Sequence, residues 1–129
     1  MQYLCLIYQD ESIVQNRSKA ELDALYAEYR DFTERIKKSG RLVGLNRLQP
    51  IRTAATVRVR DGNVVATDGP FAETKEQLGG YYLIEARDLN EAIQTAAGCP
   101  SARFGSVEVR PIWEMQPAVD SALHQTTTR

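Results

Sequence analysis

Gln2 to Tyr8 is apolar on both alternating sets, with Tyr3, Cys5 and Ile7 on one side and Leu4, Leu6 and Tyr8 on the other. A period of two with two apolar faces predicts a central strand in a covered sheet. Asp10 to Arg17 is mostly polar and reads as a loop. The period then changes. Leu22, Leu25, Tyr26, Tyr29, Phe32 and Ile36 recur every three or four residues, the signature of one helix face. Ser18 and Glu21 have capping-box spacing at its start. Lys37 and Lys38 suit the negative end of the macrodipole, and Gly40 supplies a left-handed stop.

Arg41 to Leu48 predicts a second strand, closed by Pro50. Ala55 to Arg60 alternates Val57 and Val59 with Arg58 and Arg60, so one of its faces is wet. Asp61-Gly62 is a hairpin turn signal, and Val64 to Thr67 returns as the partner strand. Asp68-Gly69-Pro70-Phe71 breaks the pattern, Ala72 to Leu78 reads as a loop or one helical turn, and Gly79-Gly80 breaks it again. Tyr81 to Ala86 is a strand with apolar residues on both faces. Asp88, with Glu91 three residues on, caps a second helix whose buried side is Leu89, Ala92, Ile93, Ala96 and Ala97. Gly98 ends it and Pro100 prevents its continuation. Ser106 to Met115 is the last strand, with Val107, Val109 and Trp113 on one face. Residues 1–116 therefore form one domain. Residues 117–129, rich in Ser, Thr, Gln and Ala, read as a disordered tail.

With the hairpin set aside, the order is β-α-β-β-α-β, a ferredoxin-like α+β arrangement. Two helices cover one sheet face. The apolar sets that include Leu4, Leu6, Tyr82 and Ile84 ask for cover on the other. A second copy of the same sheet is the simplest cover, so a homodimer is expected.

Length and charge narrow the function classes. A chain of 129 residues fits one domain. Its 16 Lys+Arg oppose 17 Asp+Glu, for a net charge of -1, and no basic stripe forms, so nucleic acid is not an expected partner. The N-terminus lacks the charge and long apolar run of a signal peptide, and no stretch approaches the ~20 apolar residues of a membrane span. Cys5 and Cys99 form no CxxC or zinc spacing, which reads as two reduced thiols in a cytoplasmic protein. The single histidine, His124, lies in the tail, so no metal site is expected. No GxGxxG or Walker pattern is present, and no cofactor is expected.

The run Asp68-Gly69-Pro70-Phe71-Ala72-Glu73-Thr74-Lys75-Glu76, followed by Gly79-Gly80-Tyr81-Tyr82, closely resembles the YCII-related proteins in the subgroup named for its DGPF motif. Leu4 to Tyr8 and Gly105 to Pro111 match as well, so the resemblance spans about residues 1–115. It implies a dimeric α+β barrel of ferredoxin-like halves. Members of the YCII type carry a histidine in the first helix and an aspartate before a proline after the second, proposed as an active pair. Those positions fall at Tyr29 and at Cys99 before Pro100, so this chain has neither group and the mechanism does not transfer. Subgroup members are often encoded beside extracytoplasmic-function sigma factors, which implies a signalling neighbourhood.

The candidate ligand-binding residues are Asp68, Gly69, Pro70, Phe71, Lys75, Tyr82 and Arg110, with Glu73 and Tyr81 as neighbours. A carboxylate at a strand end can act as a base or hold a ligand's donor. The plainer reading is a tight turn in which Asp68 bonds backbone amides and Phe71 anchors the loop in the core. Cys99 is a candidate nucleophile only with a positive neighbour, and otherwise a buried thiol. Tyr29 belongs to the core stripe unless its hydroxyl reaches a cavity. Two functions stay open. The domain binds or transforms a small molecule in a cleft between sheet and hairpin, or it is a non-catalytic regulatory module in a sigma-factor-linked pathway.

Overall fold

A computed structural model describes residues 1–114. The expected tail at 117–129, with His124, lies outside the described residues. Strand β1 (Gln2–Gln9) leads to a short helix α1 (Glu11–Gln15), the long helix α2 (Lys19–Lys38) and strand β2 (Leu42–Arg47). The hairpin β3 (Ala55–Arg60) and β4 (Asn63–Asp68) follows, then β5 (Gln77–Glu85), α3 (Leu89–Ala97) and β6 (Ser106–Pro111). Short 3₁₀ turns precede the hairpin at Ile51–Thr53 and β6 at Pro100–Arg103.

The main sheet has the order β2-β5-β1-β6, all antiparallel. That is the order a β-α-β-β-α-β chain produces once the hairpin is set aside. The molecule is a mixed α+β fold with an antiparallel sheet and three helices among the described residues. Helices α2 and α3 lie on one sheet face. There Tyr3, Cys5 and Ile7 of β1 join Tyr82 and Ile84 of β5, Phe32 and Ile36 of α2, and Ala92 and Ala96 of α3 in one core.

The caps follow the sequence. Ser18 Oγ accepts from the Glu21 amide, and the Glu21 carboxylate accepts from the Ser18 amide. Gly40 takes φ 77°, the left-handed backbone that glycine tolerates.

Five expectations change. Asp10 to Arg17 is not all loop, because the Asp10 carboxylate accepts from both the amide and the hydroxyl of Ser12 and starts α1. Gly79 and Gly80 lie inside β5 and do not break it. A Cβ on Gly80 would stand 2.8 Å from the Asn46 carbonyl, so glycine here serves close strand approach. Strand β6 ends at Pro111, and Trp113 is exposed, so it does not extend the Val107–Val109 face. On α3 only Ala92 and Ala96 are buried. Leu89, Ile93 and Ala97 form the outer stripe, since the helix presents a narrow seam to the sheet. Finally, Tyr82 and Ile84 sit on the helix-covered face. Register pairs Leu4 with Leu83 and Leu6 with Tyr81, so Tyr81 and Leu83 are the residues that share the open face with Leu4 and Leu6.

Candidate functional site

A cleft of about 210 Å³ opens between the sheet and α2, beside α1. Its apolar wall is Ile7, Val14, Leu25 and Leu45, and its polar lining is Gln9, Tyr29, Tyr82 and Arg47. Gln9 reaches it because it keeps the parity of Tyr3, Cys5 and Ile7 on β1. Gly79 and Gly80 leave room along β5, where a Cβ on Gly79 would stand 3.3 Å from Gln9 Nε2.

Beneath this floor runs a chain of hydrogen bonds. Ser101, fully buried, donates to Gln9 Oε1 at 2.9 Å. Its proton spent there, Ser101 Oγ accepts from the Tyr29 hydroxyl. Cys99 Sγ in turn donates to the Tyr29 hydroxyl at 3.6 Å. The direction is therefore Cys99 to Tyr29 to Ser101 to Gln9, and a directed chain of this kind polarises each member. The 3₁₀ turn that opens at Pro100 places Ser101. Separately, Tyr82 and Thr33 share a hydrogen bond of 2.6 Å.

Burial decides the charge of these groups. Burial, then the neighbouring Cys99, pushes the Tyr29 phenol above its usual range. Burial does the same to Tyr82 and to the Cys99 thiol, the latter against the bonds it makes. Cys5, one layer deeper, is pushed up to about 11 by burial and then by Cys99. At neutral pH the floor is uncharged. Arg47 is the one charged residue of the lining among the described residues. It stands at the mouth, its guanidinium 5.1 Å from the Tyr26 ring centre, and donates to the Tyr26 hydroxyl at 3.1 Å.

Of the residues proposed from sequence, Tyr82 lines this cleft and the others fall elsewhere and apart. Asp68 ends β4 and is exposed. Its turn is held by the Gly69 amide donating to the Ala54 carbonyl at 2.7 Å and by the Thr56 hydroxyl donating to the Gly69 carbonyl at 2.8 Å. Gly69 takes φ 99°, so glycine is required there. No hydrogen bond to the Asp68 carboxylate occurs among the described residues, so the backbone-capping role expected of it is not the one the turn uses. Pro70 and Phe71 line a second, apolar groove of about 500 Å³ between the hairpin base and the sheet, with Tyr8, Pro50, Ile51 and Leu78. Phe71 is 81% exposed, so it does not anchor the loop in the core. Lys75 and Glu73 are exposed in the following loop. Arg110 is on the open sheet face, where it is ion-paired with Glu108. Tyr82 is on the covered face. The sheet thus separates Tyr82 from Arg110, and Asp68, Arg110 and a tyrosine do not line one pocket.

A YCII-related domain matches residues 1–116. The chain belongs to the YCII-related family. An uncharacterized protein of Rhizobium meliloti (strain 1021) is 40% identical over 119 residues, which cover 91% of this chain and 96% of that protein. In this YCII-related chain the two positions at which the resemblance expects histidine and aspartate, Tyr29 and Cys99, are in contact in the fold. Gln9, Tyr26, Arg47 and Ser101 escaped the sequence reading. Only Gln9 had a signal, the parity it shares with the buried side of β1.

Proposed function

We propose that this YCII-related chain binds a small organic molecule in the cleft between the sheet and α2. The floor carries this reading. Tyr29, Tyr82 and Gln9 line a mostly apolar space, which is how small-molecule sites are built. Because the floor is uncharged at neutral pH, it supplies hydrogen bonds and not an ionised base or thiolate. That favours binding over transformation. The ligand has an apolar body within the cleft and a polar or anionic end near Arg47. Within the family, Asp68-Gly69-Pro70-Phe71 supports membership of the DGPF-motif subgroup. The working unit is a homodimer, supported by the apolar open face of Leu4, Leu6, Tyr81 and Leu83.

The test of the site is a thermal-shift screen of small carboxylic acids, phenols and neutral alcohols, followed by titration of any hit. Gln9→Leu and Tyr82→Phe should each weaken a hit by roughly 3–10-fold, the worth of one net hydrogen bond. A hit indifferent to both variants but lost in Phe71→Ala would move the site to the hairpin groove and sink this reading.

A further inference from the structure

The hydrogen-bond chain beneath the cleft fixes which way round Gln9 is held. It starts at Cys99, whose sulfur accepts from the backbone amides of Ser101 and Ala102 and whose thiol burial keeps protonated. With its acceptor capacity in use, the thiol donates to the Tyr29 hydroxyl at 3.6 Å. Each hydroxyl has one proton to give, so Tyr29 donates to Ser101 and Ser101 donates to Gln9. A Gln9 amide turned the other way would point an N–H at the Ser101 proton, so Oε1 must sit there. Gln9 Nε2 therefore lies beside Gly79, where a Cβ would stand 3.3 Å from it and glycine leaves the space open. Among the described residues no acceptor takes its two protons.

The rest of the polar lining has the same character. The Tyr26 hydroxyl accepts from Arg47 Nη2 at 3.1 Å, which leaves its own proton unspent. No aspartate or glutamate lines the cleft among the described residues. Tyr29 and Tyr82 are engaged with Ser101 and Thr33. The groups left over on Gln9, Tyr26 and Arg47 are donors. A ligand group that must itself donate would lose its water there and gain no acceptor, whereas a carbonyl oxygen would be satisfied. The floor is uncharged, and a carboxylate set on it would be buried without a cation, so the group at Gln9 is neutral. The cation is at the mouth. Gly80 pairs with Ile7 on one side and with Arg47 on the other, so the strands carrying Gln9 and Arg47 are about 10 Å apart, room for a ring between the two. We propose that the cleft takes a small oxo-carboxylate: its neutral carbonyl oxygen accepts from Gln9 Nε2 on the floor, its carboxylate pairs with Arg47 at the mouth, and Ser101 is the positioning residue that keeps the Gln9 amide facing it. This rests on the small-molecule reading of the cleft and adds the ligand's chemical class.

The experiment is calorimetric titration of the full chain with para-acetylbenzoate, its alcohol para-(hydroxyethyl)benzoate, and acetophenone. The keto acid should bind at least about tenfold tighter than the alcohol, whose hydroxyl proton finds no acceptor. It should also bind at least about tenfold tighter than acetophenone, which brings no anion to Arg47. Gln9→Glu still accepts from Ser101 but has no N–H for the ligand, and should abolish the preference for the ketone. Ser101→Ala frees the amide to turn, so the ketone-to-alcohol ratio should shrink to within about threefold while the alcohol binds as well as before. A Ser101→Ala variant that weakens both probes alike and keeps the ratio would overturn the positioning role. Circular dichroism checks that each variant is folded, and Gln9→Glu decides the carbonyl assignment if Ser101→Ala is not. Equal binding of keto acid and alcohol, both weakened by Tyr82→Phe, would overturn the carbonyl assignment and leave the small-molecule site standing. Absence of binding by all three probes up to millimolar concentration would overturn the oxo-carboxylate class, and a thermal-shift screen with no hit at all would overturn the cleft reading with it.

Discussion

The two faces of the main sheet are built from neighbouring residues of the same strands, yet they differ in every respect that bears on function. Beneath the helices, Tyr3, Cys5, Ile7, Tyr82 and Ile84 are buried, and the polar groups among them are tied into hydrogen bonds. On the other side, Leu4, Leu6, Tyr81 and Leu83 are only half-buried, and the polar groups are an ion pair, Arg110 with Glu108, and Asn46 donating to the Tyr81 hydroxyl at 2.8 Å. One face is finished within the chain and holds a small cleft. The other is apolar, broad and open. The proposed ligand site and the proposed assembly surface thus lie on opposite faces, so one can change without the other.

The largest effects should come from adjacent residues of β5. Ile84 is fully buried, and Ile84→Ala should cost about 2–5 kcal/mol in urea unfolding at any protein concentration. Leu83→Ala, one residue away on the open face, should show a cost that grows as dimer becomes the dominant species and is small in dilute protein. Equal, concentration-independent costs would erase the distinction between the faces.

Alkaline pH should weaken the covered face next. The Cys5 thiol ionises near 9.0 when unfolded and at about 11 in place. Below pH 9 both states are protonated and its stability contribution is complete. Between pH 9 and 11 only the unfolded chain loses the proton, so stability falls, by about 2–3 kcal/mol for this group. Cys5→Val should flatten that part of the unfolding free-energy curve against pH. A wild-type curve already flat from pH 8 to 11 would contradict the burial argument.

Smaller effects sharpen the floor of the cleft. Tyr29→Phe removes the donor to Ser101 and the acceptor for Cys99, and should cost about 1–3 kcal/mol in denaturant unfolding, since the freed groups are buried. Asp68→Asn should change protomer stability by less than about 0.5 kcal/mol, because the turn is held by Gly69 and Thr56. It should leave ligand affinity in the cleft unchanged in calorimetry.

Much of the fold was legible because it is written in local patterns. Capping at Ser18 and Asp88, the apolar stripe of α2 and the Asp61-Gly62 turn each state an element and its end. What local pattern does not contain is register across strands. Within β5 the alternation of Tyr81 and Tyr82 is plain, but which of them faces Leu4 is settled by pairing with a strand some 75 residues away. For the same reason Tyr82 and Arg110 could be grouped from sequence though the sheet divides them. Gly79-Gly80 misled because glycine marks both breaks and close approaches, and only the neighbouring strand distinguishes the two. The floor residues are the least legible. Ser101 meets Gln9 and Tyr29 across 92 and 72 residues, and nothing in the words around it announces that convergence.

The most direct test of the cleft is an amide chemical-shift titration of the labelled protein with a hit from the small-molecule screen. The account predicts that the amides of Gln9, Tyr26, Tyr29, Arg47, Gly79 and Gly80 move together and saturate with one affinity. Shifts confined to Gly69, Phe71 and Ala72, or to Leu4, Leu6 and Leu83 on the open face, with the Gln9–Tyr29 set unmoved, would contradict it.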